Sequence, residues 1–208
     1  MDHPQKNDKG QTVKINYPSS PTPLEAWDDP PAVAAVTPGG PMPFALNGLA
    51  LDPWSDGPTT ATGWNAVAGQ RASDEPPFVP TSGKHPAAGV VVEESDGRFW
   101  LVHPTNRYGG YTTTFPKGRL EQGIGFQASA IKEAVEEAGL KVEITGWLLD
   151  TDRTTTRTRY FLARRVGGNP ADMGWESQAV SLVPRALLGK FLSNASDAPL
   201  LAALTKGI

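Results

Sequence analysis

The chain has 208 residues, 38% of them hydrophobic and 20% charged, which is the balance of a folded chain with one sizeable core and room for an appendage. Nineteen basic against twenty-two acidic residues give a net charge of −3, which argues against a nucleic-acid binder. No apolar run approaches the ~20 residues of a membrane helix, and the absence of cysteine excludes disulfides, thiolate metal ligands and a cysteine nucleophile. The polar start Met1–Gly10 has no apolar signal core, so the expectation is a cytoplasmic protein.

Residues 1–80 hold fourteen of the twenty prolines, four basic residues and nine acidic ones; residues 81–208 hold fifteen basic and thirteen acidic residues. Runs such as Pro18–Pro23 and Pro38–Pro43 predict extended or turning backbone. A boundary falls near residue 80. The first part also carries Trp27, Trp54, Trp64, Leu46 and Leu51, residues that disordered segments lack. The expectation is an irregular arm that docks on its own domain or on a second copy of the chain, a homodimer; a free tail with incidental aromatics is the alternative.

Beyond residue 80 the elements alternate. Ala87–Glu94 predicts a strand, Ser95–Gly97 a hairpin turn, and Arg98–His103 the partner strand. Asn106–Gly110 is a glycine-rich loop, and Tyr111–Phe115 has strand composition. Phe126–Ala138 predicts a helix stopped by Gly139. Lys141–Leu149, Arg157–Val166 and Ala179–Val183 predict strands, Arg185–Leu192 a closing helix, and Leu200–Leu204 one more. This order predicts a sheet covered by helices.

The helix carries the chemistry. Glu133, Glu136 and Glu137 fall on one face by their i,i+3 and i,i+4 spacing, and Ala128, Ile131, Val135 and Ala138 fall on the other. Three adjacent like charges repel one another and raise each other's pKa, a penalty that a divalent cation reverses. A solvated acidic face is the alternative. The preceding loop, Phe115–Gly123, brings two glycines together with Lys117 and Arg119, which suit a phosphate. It is not a P-loop, because Ile124 stands where that motif needs lysine, and it lacks the third glycine of a dinucleotide fingerprint.

From Gly118 to Leu140 the chain resembles the box of the Nudix hydrolases, G-x5-E-x7-R-E-U-x-E-E-x-G-U. Gly118, Glu133, Ala134, Glu136, Glu137, Gly139 and Leu140 stand in motif positions, while Ile124 replaces the first glutamate and Lys132 the arginine. The resemblance covers about residues 81–208 and implies an α/β/α sandwich with a mixed sheet. It further implies Mg2+ or Mn2+ held by Glu133, Glu136, Glu137 and the backbone carbonyl of Lys117, and hydrolysis of a diphosphate in a small phosphorylated substrate. The general base is left between Glu133 and Glu176, which sits in a Gly-Trp-Glu loop. The two departures keep a noncatalytic nucleotide-binding module of the same fold open.

For the substrate, Arg153, Arg157 and Arg159 are candidate phosphate contacts, with a solvated strand edge as the alternative, and Tyr111 is a candidate for stacking on a base. Arg164 and Arg165 fit the strand-edge role, and His85 and His103 have no metal-pair spacing and read as structural. The Phe115-Pro-Lys-Gly118 opening resembles the dinucleoside polyphosphate and diphosphoinositol polyphosphate branches of the family. Thr154–Thr156 stand where the ADP-ribose branch has proline.

Overall fold

The run Ala87–Val92 is apolar on both sides of the chain, and both sides are buried. Val90 and Val92 face one core and Val91 the other, so this strand lies at the centre of a covered sheet. The computed structural model describes residues 1–72 and 75–205; residues 73 and 74 of the arm and the last three residues of the 81–208 unit lie outside the described residues.

The strands are β1 (Asp2–Lys6), β2 (Thr12–Lys14), β3 (Ala34–Val36), β4 (Ala45–Leu46), β5 (Leu49–Ala50), β6 (His85–Glu93), β7 (Arg98–Pro104), β8 (Lys117–Arg119), β9 (Leu140–Asp152), β10 (Thr156–Gly168) and β11 (Ser177–Pro184). The helices are α1 (Ala61–Asn65), α2 (Phe126–Ala138), α3 (Leu188–Phe191) and α4 (Ala198–Thr205). The principal sheet has the order β3-β11-β7-β6-β10-β9, with β8 also pairing β6. Only β6 and β10 run parallel, which makes the sheet mixed. One face packs on α2; the other packs on Leu188, Leu192, Leu200 and Leu204 of the C-terminal segment. The expected α/β/α sandwich is therefore present. Among the described residues no helix is long and apolar enough to cross a membrane.

Four details differ from the sequence expectations. Tyr111–Phe115 is not a strand; it makes one isolated bridge, Thr114 to Val102, with Phe115 anchored in the second core and Tyr111 buried apart from it. Lys117–Arg119 is a strand rather than loop, paired with Gly89–Ala87. The β9–β10 hairpin is longer at both ends than its apolar runs suggested. The closing helix at 185–192 splits into a 3-10 turn and the single turn of α3.

The N-terminal residues lie against the rest of their own chain. β3 pairs antiparallel with β11 and forms the outer strand of the sheet. Trp27 is 1% exposed, with its ring 5.8 Å from that of Trp100. Arg98, also buried, donates to the carbonyls of Ala26 at 3.0 Å and Trp27 at 2.5 Å. Arg165 pairs with Glu94 inside the protein and donates to the carbonyl of Leu46 at 3.0 Å. Leu46, Leu51, Trp64 and Val67 join the α2 side of the core, whereas Phe44 is exposed.

Candidate active site

Helix α2 spans Phe126–Ala138 and ends at Gly139, whose φ of 65° lets the chain turn into β9. Its inner face, Ala128, Ile131, Ala134 and Ala138, is fully buried. That anchorage fixes the direction of the glutamates. Glu133 and Glu137 point toward β8 and are each only 8% exposed, which removes the solvated-face alternative for these two. The backbone N–H of Lys117 donates to Glu137 Oε2 at 2.8 Å. Glu133 lies on Gly118, where any Cβ would overlap its carboxylate.

Two buried carboxylates side by side titrate abnormally. Burial first, then the charges of Glu137 and Glu136, raise Glu133 well above the usual carboxylate range. Burial also pushes Glu137 up to about 7, although Lys117 opposes it. Glu176 joins the group: Gly174 donates its N–H to the Glu136 carbonyl at 2.7 Å, which seats the Gly-Trp-Glu loop against α2. Glu176 is exposed at its surface, yet the protein packed around it and the carboxylates of Glu136 and Asp8 raise its pKa.

Glu136 departs from the expected trio. Lys132 Nζ lies 2.6 Å from Glu136 Oε2 and 2.7 Å from Glu121 Oε1. Burial opposes the lysine charge, but the two carboxylates outweigh it and hold its pKa above the ordinary value. With Glu136 drawn toward Lys132, no group of three acidic or histidine side chains among the described residues is arranged to hold a metal. The pair Glu133 and Glu137 still suits a divalent cation, because two buried carboxylates with raised pKa are the groups that a nearby cation would hold ionised.

The cationic candidates divide. Lys117 stays beside the carboxylates, with Nζ 5.1 Å from the centre of the Tyr111 ring, and Arg119 is exposed on β8. Tyr111 is buried and bonds Ser196 at 3.1 Å, so its ring lies between Lys117 and Arg153 rather than free in a loop. Arg153 is buried and holds Asp197 at 2.6 Å and Tyr160 Oη at 2.9 Å. Arg159 is buried in a two-bond pair with Asp150 and a contact with Glu75, against the rings of Phe78 and Phe126. Arg157 pairs with Asp152 on the hairpin. The grouping of these three arginines as open phosphate contacts is therefore corrected: each is engaged by an acid of the protein itself.

Sequence reasoning passed over Glu121. Ile124 is buried in the core, and Glu121 supplies the partner of Lys132 from three residues earlier. The signal was present in the loop, as an acid one turn before the apolar position. It also passed over Gly89, whose missing side chain lets Tyr160 lie across β6 beside Lys117.

The NUDIX domain family profile matches residues 83–204, and the chain belongs to that family. RNA pyrophosphohydrolase of Caulobacter vibrioides is 33% identical over 95 residues, which are 45% of this chain and 52% of that protein. The chain thus spans about half the length of the curated relatives it matches. Among solved structures, the Ap4A hydrolase of C. elegans is 24% identical with a TM-score of 0.48, covering 58% of this chain and 93% of that one. An ADP-ribose pyrophosphatase from Streptococcus suis is 20% identical with a TM-score of 0.46, covering 59% and 92%.

Proposed function

We propose that the chain is a metal-dependent pyrophosphohydrolase that cleaves a diphosphate linkage in a small nucleoside or inositol polyphosphate, with residues 81–208 as the hydrolase unit and residues 1–80 as its arm. The observation that supports it is the burial of Glu133 and Glu137 against Lys117 and Gly118. Such a pair is costly without a cation, and the box supplies the remaining oxygen donors nearby. Glu133, Glu137 and the carbonyl of Lys117 would hold Mg2+ or Mn2+, with Glu136 completing the set by turning from Lys132. The bound ion would neutralise phosphate oxygens and lower the pKa of water.

The protein's own groups do the rest. The ammonium of Lys117 and the guanidinium of Arg119 face the phosphate charge. Glu176, in the loop seated on α2, or Glu133 accepts the proton of the attacking water, for which a raised carboxylate pKa is suited. The Arg153–Asp197–Tyr111 cluster shapes the wall beside Lys117. The noncatalytic module is the competing reading, favoured by the Lys132 pairing of Glu136.

A hydrolysis panel separates them. Dinucleoside polyphosphates, diphosphoinositol polyphosphates, ADP-ribose and RNA with a 5′-triphosphate are each incubated with Mg2+ or Mn2+. The RNA is included because a relative bears that activity in its name. Multiple turnover of at least one substrate is expected; tight binding without turnover of any substrate under either metal would establish the binding module instead.

A further inference from the structure

Helix α2 begins at Gly125, a residue with no side chain to cap the helix, and α2 has no acid in its first turn. A helix start leaves backbone N–H groups without partners. Here one such group, the Gly125 N–H, finds its partner outside the family match. Asn65, the last residue of α1, accepts the Gly125 N–H on Oδ1 at 2.9 Å and donates from Nδ2 to the Gly123 carbonyl at 2.6 Å. Arg71 and Gln127 exchange two more bonds, Arg71 N–H to Gln127 Oε1 at 2.7 Å and Gln127 Nε2 to the Arg71 carbonyl at 2.9 Å. The clamped turn is the one that presents Glu121: the Ile124 N–H donates to the Glu121 carbonyl at 3.2 Å, and Ile124 is sunk in the core. Glu121 then reaches Lys132, which stands between it and Glu136.

We infer that Asn65 and Glu121 are positioning residues, through which the N-terminal arm sets the carboxylate helix: Asn65 fixes the turn, the turn places Glu121, and Glu121 divides with Glu136 the ammonium of Lys132, which lies within 2.7 Å of both. The inference rests on the reading of the glutamates as metal ligands. With Glu121 neutral, Lys132 keeps Glu136 alone. With Asn65 truncated, the turn that aims Glu121 is released. The two substitutions therefore act on one chain of contacts.

The test is Mn2+ affinity of the full chain, read from the EPR signal of the free ion, for wild type, Asn65→Ala, Glu121→Gln and the double variant. Each single variant is expected to bind about tenfold more weakly, the loss typical when a partner of a metal ligand is removed. The double variant is expected to be no weaker than the weaker single one. Wild-type affinity in Glu121→Gln would overturn the inference, and Glu121, half-exposed and away from the core, keeps the test open even where Asn65→Ala folds poorly. Fold-changes that multiply in the double variant would sever Asn65 from the chain. Failure of the wild type itself to bind Mn2+ would remove the metal reading and this inference with it.

Discussion

Glu137 accepts a hydrogen bond from the Lys117 backbone N–H at 2.8 Å, across twenty residues of sequence. One contact thus ties the far half of α2 to the short strand β8, and the bonded carboxylate is itself buried. Two consequences follow for Glu137→Gln. The amide oxygen can still accept the bond, so the fold persists, and removing a buried charge leaves urea stability equal to wild type or higher. Hydrolysis should fall by about a hundredfold or more, since loss of even a ligand's supporting partner costs ~10–100-fold. Wild-type turnover in this variant would remove Glu137 from the metal site.

Gly118 has no room for a side chain because the Glu133 carboxylate lies over it. Gly118→Ala must push Glu133 aside or move β8. Overpacking of this kind costs about 1–3 kcal/mol. The expected result is a lower urea midpoint together with turnover reduced at least tenfold; a variant that keeps both would show that Glu133 has another place to go.

Arg159 is held by both oxygens of Asp150 at 2.8 Å and lies on two phenylalanine rings. Arg159→Met would leave Asp150 without its two-bond partner in a setting where that side chain is 10% exposed. Breaking a buried pair costs about 3–5 kcal/mol. Chemical denaturation should show most of that loss while KM stays unchanged. A tenfold rise in KM at unchanged stability would return Arg159 to the substrate.

His103 sits between Ser181 and Ser19, and burial pulls its imidazole down to about 4 from an ordinary 6.5. The unfolded chain therefore binds a proton that the folded one refuses. Its contribution to stability is complete above pH 6.5 and is lost progressively as pH falls from there toward 4. Urea unfolding at pH 7 and at pH 4.5 should show this decline, and His103→Asn should flatten it. An NMR titration that places the ring near 6.5 would refute the assignment.

Much of the site was legible because its logic is local. The i,i+3 and i,i+4 spacing of Glu133, Glu136 and Glu137 fixes a helix face, and Gly139 fixes its end, so α2 was readable to the residue. What escaped depends on contacts distant in sequence. The arginines of β10 and of the turn before it looked like a phosphate patch because charge can be counted along the chain but its partners cannot. Asp197, 44 residues beyond Arg153, and Glu75, 84 residues before Arg159, appear only once the chain is folded. Tyr111–Phe115 failed as a strand for a related reason: β-prone composition states a preference, and the neighbours decide it. The role of residues 1–80 was equally hidden, since prolines and tryptophans announce an irregular segment without naming what it rests on.

β3 closes the β11 side of the sheet with only three residues, Ala34–Val36. A shortened gene encoding the family-matched stretch alone would leave the outer edge of β11 at Val180–Leu182 open to any passing strand, and would remove Trp27 from the ring of Trp100. Such a fragment is expected to aggregate where the full chain does not, which makes the stretch that includes residues 24–36 the better starting point for crystallisation or assay.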